Sequence, residues 1–186
     1  MSKQVVPKAE CTEARRRPTL NAWARHAGPD GQWLLAPQPW RVTAARTREL
    51  TVSEPDGAAA ALVRQREVPL HGDVADWLWQ QYPGTEPGLH QVRMRRIETL
   101  PTQAACAVFD YGSPIARGRA SALVVRSGRQ ATVFVAAAVQ ARHAELLPVL
   151  VRILDSCRPC PDGIAPAARR ALLARLLRLG TEADDP

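Results

Sequence analysis

The sequence predicts an α+β fold: an antiparallel, meander-rich β-sheet packed by two helices, plus a C-terminal amphipathic helix. Three observations carry this. Residues 119–126 and 130–138 are strand-like runs joined across Ser127, Gly128 and Arg129, the signature of a hairpin. Residues 141–156 place Leu146, Leu150, Ile153 and Leu154 on one helical stripe. Between Gln32 and Tyr111, short β-prone runs alternate with turn residues, and one helical stretch interrupts them. The chain divides into a basic N-terminal arm (1–28), an α/β core (29–158), a Pro-rich linker (159–166), the C-terminal helix (167–180) and an acidic tail (181–186).

The elements follow in order. Within the arm, residues 19–26 are read as a short helix carrying Trp23. Trp33, Leu34 and Leu35 form a short apolar strand, ended by Pro37 and Pro39 and resumed at Trp40 to Thr43. Residues 49–52 are a further short strand, and Glu54, Pro55, Asp56 and Gly57 are a turn. Residues 60–68 half-alternate, as in an antiparallel strand with one wet face. From Gly72 to Tyr82 the chain reads as helix, with Asp73 as N-cap and Val74, Trp77, Leu78 and Gln81 at three- and four-residue spacing; Trp79 lies off that stripe. Residues 89–100 alternate as a strand, and residues 104–111 form the next. Pro148 inside the following helix implies a kink, or a helix that starts there. The last helix, 167–179, ends at Gly180 in the manner of an αL cap. Leu172, Leu173, Leu176, Leu177 and Leu179 cover one broad side, interrupted by Arg169.

Composition bounds the function. The chain has 186 residues, 46% of them hydrophobic, enough for one domain with its own core. No apolar run approaches the ~20 residues that cross a bilayer. The opening residues show no apolar stretch after their charges, so the expectation is a cytoplasmic protein with reduced thiols. The net charge is +7, and the basic residues are 23 Arg with only Lys3 and Lys8. GC-rich coding favours arginine in this way, and so does selection for a guanidinium fork that grips phosphate or carboxylate. Either way, a basic chain favours acidic partners without choosing among them.

The search for chemistry yields little. Motifs of the nucleophile elbow, the phosphate-binding loop, the dinucleotide fold and the zinc proteases are missing from the sequence. Cys157 and Cys160 have CxxC spacing, but Cys11 and Cys106 are single and distant and the segment before the motif reads as helix, so a structural or incidental pair is the simpler reading beside a redox or zinc site. His71 and Asp73 meet near one helix start, where a solvated cap is the simpler reading. Asp110, beside Tyr111 at a strand end, is the best buried-acid candidate; the alternative is a carboxylate bonded to backbone or to a neighbouring arginine. The expectation is no catalytic residues, no cofactor, no metal and no small-molecule substrate, hence not an enzyme; an enzyme of unrecognised type built around Asp110 or His71 is the last-ranked alternative.

Binding is the better prospect. Trp77 and Trp79 stand on one short helix, and an exposed Trp79 would mark a partner site; the simpler alternative is that both are buried, or that Trp79 packs under the Pro-rich loop 83–87. The C-terminal helix, with Leu172, Leu173, Leu176 and Leu177, can dock on its own domain, meet a partner or a second copy, or lie on a membrane surface. A nucleic-acid alternative rests on Arg15, Arg16 and Arg17 and on three strand pairs: Arg64 with Arg66, Arg93 with Arg95, and Arg117 with Arg119. Each pair shares a parity, so all three pairs on one sheet face would make a basic platform. Otherwise they are separate surface arginines paired with Glu49, Glu67 and Glu98.

Three motifs resemble one family. The run from Leu35 to Trp40 resembles a leucine, proline, tryptophan turn after a first strand. Residues 121–138 are similar to a penultimate hairpin whose second strand is very apolar, and residues 152–158 to the close of a last core helix. Over residues 32–158 the chain thus resembles the DcrB-like family and the wider PsbP-type α/β sandwich, although Cys157 stands where an aromatic is common. The resemblance implies an adaptor or chaperone role, as in members that serve effectors of type VI secretion, and no activity.

Overall fold

A computed structural model describes residues 22–28, 31–68, 72–81, 90–100, 103–112, 117–158 and 165–182. Its centre is a seven-stranded antiparallel sheet. In chain order the strands are β3 (Arg41–Arg46), β4 (Glu49–Ser53), β5 (Ala59–Glu67), β6 (His90–Leu100), β7 (Ala104–Gly112), β8 (Arg117–Ser127) and β9 (Gln130–Val139), and in space they run β3-β4-β5-β9-β8-β7-β6. Two meanders meet where β5 pairs with β9. The expected hairpin is β8–β9, with Ser127 opposite Gln130. Gly128 takes a φ of 61° at the first position of the two-residue link, which a side chain would resist and which suits the twist of the strands.

The two faces of the sheet are covered unequally. On one lie α2 (His143–Asp155) and α3 (Pro166–Glu182). Ala61, Val63, Cys106, Val108, Leu123 and Phe134 pack there against Leu147, Leu150, Ile153 and Leu154 of α2 and Leu173, Leu176 and Leu179 of α3. On the other face the eight-residue helix α1 (Val74–Gln81) seats Val74 and Leu78 on Ala105, Ala107, Phe109, Val124 and Val133. The alternation predicted for residues 60–68 decides which β5 side chains face which layer.

Residues 19–26 do not form the expected helix where they are described. Instead β1 (Trp23–Ala27) pairs antiparallel with β2 (Trp33–Pro37) in a separate small sheet. Tertiary contacts override the local pattern: the Arg152 guanidinium of α2 lies 4.3 Å from the Trp23 ring centroid, which fixes the strand against that helix. The segment after Trp40 does not resume β2 either; it is β3, the edge of the main sheet. The close of α2 ties the sheets together. Leu35 donates its backbone N–H to the Ser156 hydroxyl at 2.7 Å, and Trp33 and Arg158 exchange backbone hydrogen bonds of 2.6 and 2.7 Å. Ser156 therefore has a structural reason, and so does Arg158, whose guanidinium donates to Asp155 O at 2.9 Å and Cys157 O at 2.7 Å.

Pro148 does not start α2. The helix begins at His143 after a 3₁₀ turn, Gln140–Arg142, and Pro148 sits in its second turn. Both Pro148 and Ala144 are exposed, so the carbonyl that loses its helical donor faces solvent.

The C-terminal helix is longer than predicted and closed differently. It starts at Pro166, a proline at the first helical position, and passes through Gly180 to Glu182. Gly180 is therefore no αL cap. A Cβ built there would stand 2.4 Å from Leu147 Cδ2 and 2.8 Å from Ser121 Oγ, so glycine lets α3 touch α2 and the sheet. Arg169, which interrupts the leucine side, is 1% exposed. Its guanidinium caps α2, donating Nη1 to Cys157 O at 3.0 Å and Nη2 to Asp155 O at 2.6 Å, with Asp155 Oδ1 at 3.1 Å from Nη2. Arg175 grips Glu98 of β6 at 2.7 Å, and Glu182 meets Arg96 at 3.1 Å. Leu173 and Leu176 are thus core residues and not an apolar face held out to a partner. Exposing either would forfeit roughly 1.5–3 kcal/mol of burial. Leu172 and Leu177 are half-buried against the same core.

Candidate functional site

The α1 side of the sheet presents the most prominent apolar group. Asp73 caps the helix as expected, its Oδ1 accepting the Ala75 N–H at 2.8 Å and its carbonyl accepting the Trp77 N–H at 3.1 Å. With the start fixed, helical spacing turns Val74 and Leu78 inward and sets Trp77 half-buried at the margin. Trp79 falls on the solvent side and is 51% exposed. The Trp77 side of the same helix borders a cleft of about 190 Å³ lined by Val68, Gly72, Asp73, Val74, Asp76, Trp77, Gln80 and Arg126, and Trp79 is not part of that lining. Arg126, at the end of β8, supports its rim by donating to Gly72 O at 3.0 Å and to Gln103 Oε1 at 2.9 Å. Sequence reading did not single out Arg126 or Val68. Their signal was positional, since both stand at strand ends.

The six strand arginines do not share a face. Arg64 and Arg66 oppose Val133 and Ala131 across β9, on the α1 side. Arg117 and Arg119 follow the parity of Leu123, and Arg93 stands opposite Asp110, on the α2 and α3 side. The single basic platform is therefore overturned. Its pairing alternative fits Arg64, whose Nε lies 2.7 Å from Glu49 Oε2. Glu98, by contrast, is taken by Arg175 and not by a strand arginine. Arg15, Arg16 and Arg17 lie outside the described residues.

Two of the three pairs do converge. Asp110 is paired with Arg93 on β6 and Arg119 on β8, and a register shift between Met94 and Arg96 brings Arg95 to the same carboxylate. Arg95 Nε donates to Oδ2 at 2.6 Å and Arg119 Nε to Oδ1 at 2.7 Å. Burial alone would raise this carboxyl's pKa, but the hydrogen bonds from Arg119 and Arg95 and their charges outweigh it and hold it below the usual value. An ionised carboxylate with both oxygens engaged is a poor proton donor, so Asp110 is the arginine-bonded strand-end acid and not a catalytic acid.

Other candidates are placed as follows. His71 and Cys160 lie outside the described residues. Cys157 is buried in the core, and Cys106 is too, with a thiol pKa pushed up to about 12 by burial and by Glu98, against a smaller opposing pull from Arg175. Among the described residues no group of three or more His, Cys, Asp or Glu could hold a metal ion. Nor is any described helix long and apolar enough to cross a membrane. A pair that sequence reading missed is Ser121 and His143. The hydroxyl and Nε2 stand 3.2 Å apart, both residues fully buried beneath Gly180. Sealed from solvent, it serves the α2–α3–sheet junction.

No protein-family model matches the chain, and no curated protein matches it. Among solved structures it is similar to the cyanobacterial PsbP of Synechocystis sp. PCC 6803, at 15% identity and a TM-score of 0.46 over 73% of this chain and 91% of that one. It is also similar to a protein of unknown function, PA94, from Pseudomonas aeruginosa, at 11% identity and a TM-score of 0.49 over 75% of this chain and 98% of that one. A third is LpqN of Mycobacterium tuberculosis, involved in cell envelope biogenesis, at 15% identity and a TM-score of 0.45 over 73% of this chain and 89% of that one.

Proposed function

We propose that this chain is a non-catalytic, cytoplasmic adaptor or chaperone-like module that binds a protein partner, as an accessory of a bacterial protein assembly or secretion system. The observation that carries the reading is Trp79, half exposed on a helix whose other side is packed on the sheet. A tryptophan held rigidly at the surface offers a large contact area at little entropic cost, which is why the residue is enriched in binding hot spots. The DcrB-like resemblance of residues 32–158 supports the assembly part of the proposal. With Leu173 and Leu176 committed to the core, the partner contact moves from the C-terminal helix to α1.

The test is affinity capture of the partner from native lysate at about 150 mM and about 500 mM salt, where exposed charge contacts are screened very differently. The captured protein is then purified and its affinity measured against the wild type and Trp79→Ala. Retention at high salt, with a loss of about 2 kcal/mol or more in the variant, is expected. Equal binding by a folded Trp79→Ala chain would remove α1 as the site.

A further inference from the structure

We propose that the end of the sheet where β6, β7 and β8 meet is a docking surface for a carboxylate-rich segment of a protein partner, gripped by Arg93, Arg95 and Arg117 around Asp110. The inference rests on the adaptor reading for the kind of ligand, a protein, and adds its chemistry and a second place of contact.

The sheet builds this surface. Neighbouring strands lie ~4.8 Å apart, so Arg93 and Arg119 stand roughly 10 Å apart on either side of Asp110. Arg119, 2% exposed, anchors the carboxylate from below, while Arg95 reaches it from the exposed side. Arg95 contacts Asp110 through its Nε–H, one of the five N–H donors of a guanidinium. Arg93 and Arg117 are exposed, and among the described residues no ion pair engages them. The ion pair of Arg96 with Glu182 borders the cluster. Five guanidinium groups therefore stand against two carboxylates in the described part of this region, an excess of positive charge on one small area. Among the described residues β6 is the outermost strand, and none of them pairs with its outer edge.

Guanidinium forks suit carboxylate and phosphate alike. Two features favour an acidic protein segment over nucleic acid. The nearest aromatics, Phe109 and Tyr111, point to the opposite face, so the described residues offer no stacking platform beside these arginines. Nor do the β5 arginines extend the cluster, since Arg64 and Arg66 are on the other face. A short acidic segment needs only the local cluster. Alternate side chains of an extended chain are ~6.6 Å apart, a spacing that can engage two of these arginines at once.

The experiment is fluorescence anisotropy with the full chain and a labelled peptide of eight glutamates, at about 50 mM and about 500 mM salt. Wild type binds at low salt and loses most of that binding at high salt. The double variant Arg93→Gln, Arg117→Gln, checked by thermal melting, binds roughly tenfold more weakly or worse. Arg66→Gln on the opposite face binds as wild type does. Trp79→Ala also binds the peptide as wild type does, so failure here and failure at α1 are read separately. Absent peptide binding, or equal binding by the double variant, overturns the proposal. So does tighter binding of single-stranded DNA of equal charge through the same arginines.

Discussion

Replacing Gly180 tests how α3 is seated, because two physical effects oppose each other there. Alanine in a helix interior is favoured over glycine by about 0.8–1.0 kcal/mol. Against this, the new Cβ would stand 2.4 Å from Leu147 Cδ2 and 2.8 Å from Ser121 Oγ. Ordinary carbon contacts are ~3.5–4.0 Å, so the neighbours must move by ~1 Å. Leu147 and Ser121 are both fully buried, which leaves them little room. Overpacking of this kind costs ~1–3 kcal/mol. Gly180→Ala is therefore expected to lose about 1 kcal/mol net, a fall in Tm of roughly 2–4 °C for a chain of this size. Gly180→Asn separates the docked helix from a helix ending in an αL glycine. Asparagine tolerates the αL conformation, so an αL cap would suffer less from Asn than from Ala. In the docked helix the larger, polar side chain must enter the same contact, and Asn falls at least ~2 kcal/mol below Ala. Urea unfolding of the three proteins supplies the order. Asn equal to or more stable than Ala, or Ala more stable than glycine, would refute the seating of α3.

Two further outcomes follow from the polar clamps. Arg169→Met keeps the aliphatic stem but removes one of the two guanidinium donors to Asp155 O and Cys157 O, Arg158 Nη1 remaining at 2.9 and 2.7 Å, and is expected to cost roughly 1–3 kcal/mol in urea unfolding. Asp110 has a folded pKa below its unfolded value of ~3.9, so its contribution to stability is fully present above that value and is lost as pH falls through the depressed folded pKa. Stability measured across this acid window should fall less steeply in Asp110→Asn than in the wild type; an unchanged slope would show that the two arginines do not hold the carboxylate.

The legible parts of the fold were those encoded locally. Gly128 between two β-prone runs, Asp73 before a helical period and the leucine spacing of α2 each specify their element within a few residues, and each formed as expected. What was not legible depends on partners distant in sequence. Five residues from Trp23 to Ala27 carry too little pattern to choose strand over helix, and their pairing with β2 and the contact with Arg152 decide it. Gly180 after a leucine-rich helix looks the same in sequence whether it ends the helix or admits a neighbour. Parity placed each arginine pair on one face of its own strand, but which face depends on how the strands assemble and on the register shifts in β6. Of the candidate site, helical geometry placed Trp79 off the stripe of Val74, Trp77 and Leu78, but whether it is exposed depends on what packs beside the helix, and that is not encoded locally.

Arginine does two different jobs in this chain, and burial separates them. Arg119 and Arg169 are nearly inaccessible, and each meets a carboxylate: Arg119 fixes Asp110, and Arg169 grips Asp155 while closing the end of α2. A lysine in either place would offer a point charge without the planar fork, so these positions favour arginine for structural reasons alone. Their charges, being matched, add little to the field outside. Arg93 and Arg117 share a face and a neighbourhood with Arg119 but stand in solvent, and they supply two of the three excess charges; the third arises because Arg95 and Arg119 share the one carboxylate of Asp110. A basic composition therefore does not by itself imply a basic binding face. It implies one where exposed guanidinium groups outnumber nearby carboxylates, and in the described residues the end of the sheet around Asp110 meets that condition.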